Sequence, residues 1–64
     1  MTMDVMRQEY KALSSDDSLR MLAIKAKGQE LYDMLAKLGD SREISLAKTK
    51  TEEAVMWAIK HITA

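Results

Sequence analysis

The chain has 64 residues, no cysteine and no proline, and its ten basic residues balance ten acidic ones to a formal net charge of zero. A chain this short removes only about 60% of its unfolded surface on folding, and ordinarily needs disulfides, a metal or partner subunits to hold it. Without cysteine, disulfide frameworks, thiolate metal sites and thiol catalysis are excluded. Association of copies is the staple that remains.

The charge balance is also local. Residues 1–13 set Asp4 and Glu9 against Arg7 and Lys11, while 14–38 and 40–64 each carry four acids and four bases. A protein held to DNA through many phosphates shows a basic excess. DNA is therefore not an expected partner, and an anionic ligand must be small and met by a local cluster. No apolar run approaches the roughly 20 residues of a membrane span, and no signal-peptide apolar region follows Met1. Neither a membrane partner nor export is expected, and the lack of cysteine fits a reducing cytoplasm.

Ala, Leu, Met, Lys and Glu dominate, which is the vocabulary of helices. The chain reads as one all-α domain over 1–64, in three pieces. A short helix is predicted from about Met3 to Leu13. Ser14, Ser15, Asp16 and Asp17 then offer side-chain oxygens to the orphan amides of a second helix, from about Asp16 to Leu38. Gly39 is the natural residue to end it. Asp40 is expected to cap a third helix, with Glu43 three positions on completing an acidic capping box. That helix runs to about Ile62, with Lys60 and His61 at its negative end.

Both long helices carry an apolar period. In the second, Ile24, Leu31, Met34, Leu35 and Leu38 recur at threes, fours and sevens, with Ala23 and Gly28 as small residues near them. In the third, Ile44, Ala47, Thr51, Ala54, Val55, Ala58 and Ile62 make one face. The short connection favours an antiparallel hairpin of these two helices. At about 100° per residue, Leu46 and Trp57 lie on a second face, opposite Val55 and Ile59, with Met56 on the flank. An apolar face that one short leading helix cannot cover marks an association surface. Leu46 and Trp57 are therefore candidate contacts of a homo-oligomer.

Catalytic groupings are nearly absent. One histidine and no cysteine leave no conventional triad. Glu52 and Glu53 are adjacent, so their side chains diverge and form no paired-carboxylate site. Glu30 and Asp33 are two carboxylates on a solvated face, too few for a metal. An enzyme is not expected, nor a metal or cofactor. Gly28 inside a helix costs about 1 kcal/mol relative to alanine, which points to a close approach of the other helix. For binding, Tyr10 and Lys11 stand near the end of the first helix, and Lys25 and Lys27 on the second. If the first helix folds back, the Tyr10 ring and the Lys25 ammonium together offer a stacking plane for a base and a charge for a phosphate. The same residues also fit amphipathic surface packing.

Taken together, Tyr10-Lys11-Ala12-Leu13-Ser14, Ile24-Lys25, Arg42-Glu43-Ile44-Ser45-Leu46-Ala47-Lys48-Thr49 and Glu52-Glu53-Ala54-Val55-Met56-Trp57-Ala58 resemble the phage anti-CBASS cyclic-nucleotide sponges, in order and spacing, over about residues 7–62. The resemblance implies a small all-helical protein assembled as a homo-hexamer in the cytoplasm of the infected bacterial host. It implies sequestration, without cleavage, of cyclic dinucleotide messengers such as cyclic GMP–AMP, in a pocket between protomers. By their fifteen-residue spacing, Tyr10 and Lys25 map onto the stacking tyrosine and the phosphate-contacting lysine, with Lys11 and Lys27 as further candidates. Some members also hold cyclic trinucleotides in a second pocket at a threefold junction, to which Lys27 here is a candidate contributor, though it is also a source of bulk. Two other readings stay open: a helical DNA-binding regulator using the second helix, and a structural or protein-inhibiting bundle.

Overall fold

Two helices, α1 (Ser15–Leu38) and α2 (Arg42–Thr63), pack as a hairpin in the computed structural model, which describes residues 13–64. The leading helix expected over 3–13 lies outside the described residues, except for Leu13, which is not helical.

Local chemistry fixes the ends. Ser14 takes an extended backbone, and its Oγ accepts from the Asp17 N–H at 3.0 Å. Asp17 Oδ2 in turn accepts from the Ser14 N–H at 3.4 Å, closing a reciprocal box that satisfies two otherwise orphan donors. Asp16 and Asp17 also put negative charge in the first turn, where the helix dipole favours it. At the far end Gly39 adopts φ 128° and ψ −162°, a backbone region open to glycine and strained for any side chain.

The start of α2 corrects the sequence reading by one residue. Ser41, not Asp40, is the cap: its backbone is extended and its Oγ accepts from the Ile44 N–H at 3.0 Å. Both residues offer a capping oxygen, and the sharp exit through Gly39 delivers Ser41 to the position three before a free amide. At its other end α2 runs to Thr63, one residue past the expected Ile62, with Lys60 and His61 in the last turn.

The seam between the helices is half as predicted. On α2 the half-buried residues include Ile44, Ala47, Thr51, Val55, Ala58 and Ile62, as the period requires, while Ala54 is exposed. Thr51 sits in this seam with its hydroxyl donating to the Ala47 carbonyl at 2.8 Å, so no polar group is stranded there. On α1 the seam is Met21, Ile24, Gly28, Tyr32 and Leu35. Leu31, Met34 and Leu38, expected in the core, are instead 47%, 65% and 75% exposed. They lie roughly 60–120° around the helix from Gly28.

Gly28 decides between the two apolar faces of α1. A Cβ at that position would overlap the Cγ2 methyl of Val55. The bare backbone therefore lets Val55 in and turns the Gly28 side of α1 toward α2. The expected close helix approach at Gly28 is what the packing shows. No side chain among the described residues is fully buried, so the hairpin has a seam but no enclosed core.

Candidate functional site

A concave strip runs along the hairpin, and Gly28 and Val55, which meet closely, are among the residues that line it. The cleft has a volume of about 500 Å³, inside the range of about 300–1,000 Å³ typical of small-molecule sites. Lys25, Gln29 and Tyr32 line it from α1, at successive spacings of four and three on a helical face. Thr51, Glu52 and Val55 line it from α2.

Electrostatically the cleft is two-ended. Lys25 and Tyr32 are seven residues apart, so about two turns and 10 Å of helix rise separate them. Lys25 makes no ion pair among the described residues, leaving its ammonium free for a ligand. Near the other end the half-buried Tyr32 ring meets Lys48, whose Nζ stands 5.4 Å from the ring centroid. That distance is a cation–π contact of the usual kind, which steadies the ring and draws Lys48 toward it. Glu52 likewise makes no ion pair or hydrogen bond among the described residues. Gln29 is engaged on its amide side, donating to Asp33 Oδ1 at 2.9 Å.

Of the sequence-named residues, Lys25 faces this cleft. Lys27 does not line it, and its Nζ is 3.5 Å from Glu30 Oε1 in an exposed pair. Tyr10 and Lys11 lie outside the described residues. Leu46 and Trp57, the candidate contacts between copies, are 45% and 57% exposed, and Met56 beside them is 42% exposed. Lys60 Nζ stands 5.9 Å from the Trp57 ring centroid, so a cation partly covers that indole.

Sequence reasoning missed Tyr32, Gln29 and Glu52 as lining groups. The spacing of Lys25, Gln29 and Tyr32 was a usable signal for the α1 wall. Glu52 carried none, because its place depends on how α2 crosses α1. Among the described residues no three His, Cys, Asp or Glu side chains cluster as metal ligands. Nor is any described helix long and apolar enough to cross a membrane.

The family model described as "Acb2/Tad1, hairpin domain" matches residues 3–63. Neither the curated proteins nor the solved structures give a match. The matched family consists of sponges that bind and sequester cyclic nucleotides as an anti-defence measure, not of enzymes. A two-helix hairpin with a small concave surface, matched over 3–63, leads to one conclusion: the chain belongs to the Acb2/Tad1 hairpin-domain family, the anti-CBASS cyclic-nucleotide sponges.

Proposed function

We propose that the chain binds cyclic dinucleotide messengers of bacterial CBASS immunity, such as cyclic GMP–AMP, and sequesters them without cleavage. The effectors that those messengers switch on then stay silent, and a phage carrying the protein survives in the host cytoplasm. The observation that carries this reading is the family match over residues 3–63. The cleft supports it, since the free Lys25 ammonium and the Tyr32 ring share one concave surface.

In this reading Tyr10 stacks on a base and Lys25 meets a phosphate. Lys11 and Lys27 add positive charge at the rim; the exposed Lys27–Glu30 pair is weak enough to yield to a phosphate. A cyclic dinucleotide carries two negative charges, so one lysine from each of two copies balances it without any net basicity of the chain. Two tyrosines would stack on its two bases, each worth about 1–3 kcal/mol. Submicromolar affinity needs about 8 kcal/mol net, which stacking and charge-assisted hydrogen bonds reach together in a preformed site.

The same geometry favours assembly. A hairpin with no fully buried side chain among its described residues gains stability by covering its apolar faces with further copies. Leu46 and Trp57 form one such seam, in a homo-hexamer whose subunits are each a single domain of residues 1–64. The ligand site is then completed by a neighbouring protomer, and the same copies serve stability and function.

Calorimetry of the full chain against cyclic GMP–AMP tests the site. Tyr10→Ala and Lys25→Ala are each expected to weaken binding by more than about tenfold with oligomer mass unchanged. Full affinity in both variants would remove the proposed site.

A further inference from the structure

The cleft contains a group that phosphate binding does not explain. Glu52 lines it together with Lys25, and is exposed and without an ionic or hydrogen-bonding partner among the described residues. Lys48, one turn earlier on α2, makes no ion pair with Glu52 and its Nζ is drawn to the Tyr32 ring, while Lys50, two residues away, pairs with Glu53 at 3.6 Å. A bare carboxylate in an anion-binding cleft repels the ligand's phosphates. It becomes attractive to the ligand when another part of that ligand presents N–H donors to it.

The layout supplies that other part. Lys25 is on a level of α1 about two turns before Tyr32, and Glu52 faces the same cleft from α2 near Thr51. The Gly28–Val55 contact sets Glu52, three residues before Val55 on the antiparallel α2, level with about Leu31, so about 9 Å of helix rise separates it from Lys25, a span on the scale of one nucleotide. An ammonium at one end and a carboxylate toward the other therefore match phosphate and base edge in turn.

Base chemistry then selects among nucleotides. Guanine alone presents two adjacent donors, N1–H and N2–H, which a carboxylate accepts in parallel. Adenine offers N6–H beside the N1 acceptor, and cytosine N4–H beside the N3 acceptor, so a second carboxylate oxygen meets a lone pair. Uracil offers one N–H flanked by two carbonyls. We infer that Glu52 reads the base edge and makes the cleft selective for guanine-containing cyclic dinucleotides. This inference rests on the proposed function and adds a specificity residue to it.

Calorimetry of the full chain with cyclic di-GMP and cyclic di-AMP provides the test. The unmodified chain is expected to bind cyclic di-GMP at least about tenfold more tightly. Glu52→Gln is expected to bring the affinity ratio close to one, because an amide offers one acceptor and one donor, the complement of adenine's edge. Glu52→Ala should weaken cyclic di-GMP toward the affinity of cyclic di-AMP. Because Glu52 is exposed on the hairpin, helical content should not change in either variant. Equal affinities in the unmodified chain, or a ratio unchanged in both variants, would overturn the guanine inference and leave the sponge reading standing. Binding of neither ligand would overturn this inference, and absence of cyclic GMP–AMP binding as well would overturn the sponge reading with it.

Discussion

Replacing Gly28 by alanine sets two effects of similar size against each other. Alanine is favoured over glycine in a helix interior by about 1 kcal/mol. Against this, the new Cβ would overlap Val55 Cγ2, and valine on a helix is held in one χ1 rotamer, so its methyl cannot swing aside. Overpacking of this kind costs about 1–3 kcal/mol. The net expectation for Gly28→Ala is destabilisation by about 1 kcal/mol, a fall in Tm of about 4–8 °C for a domain this small. Val55→Ala removes two methylene equivalents from a half-buried site and costs about 1 kcal/mol by itself. In the double variant the overlap is gone and the helix propensity gain is realised, so its stability returns close to that of the unmodified chain. Urea denaturation at one fixed protein concentration, which assembly makes necessary, gives the cycle. The expected interaction term is about 2 kcal/mol in favour of the double variant. Additive losses, or a Gly28→Ala chain stabilised by the full helix propensity, would refute the close approach of α1 and α2 on which the cleft depends.

The two ends of the hairpin connection give further expectations. Ser41→Ala should cost about 1 kcal/mol by thermal melting, through loss of the bond to the Ile44 amide, whereas Asp40→Ala should cost far less; the reverse order would restore Asp40 as the cap. Gly39→Ala should lower stability by about 1–3 kcal/mol because its φ of 128° strains any side chain, and an unchanged melting temperature would show that the turn relaxes freely. Trp57→Ala is expected to lower oligomer mass in sedimentation at micromolar concentration while helical content is kept, and an unaltered mass and melting temperature would remove Trp57 from the seam between copies.

What could be read without coordinates follows how local the physics is. The start of α1 and its end at Gly39 are legible, because a serine hydroxyl three residues before an amide and a glycine at a chain reversal act within one turn. The cap of α2 is ambiguous between Asp40 and Ser41, since both carry a suitable oxygen and only the path out of Gly39 chooses. The α2 seam is legible because one face of that helix is continuously small and apolar. The α1 seam is not: Ile24 and Leu35 share a face with Gly28 and Tyr32, while Leu31, Met34 and Leu38 offer a second apolar row to one side. Which row packs is decided by where Val55 finds room. Lys25 is visible in sequence as a cation on a helical face. The cleft in front of it is not, because Thr51, Glu52 and Val55 reach it across some 25 residues of chain.

Fate of the ligand tests the central claim most directly. The full chain is mixed with cyclic GMP–AMP at a modest excess of binding sites, passed through a filter that retains protein, and then heated, and both fractions are chromatographed. Sequestration predicts a filtrate empty of messenger and its quantitative, intact recovery after heating. Messenger left in the filtrate, or linear products in the heated fraction, would contradict it.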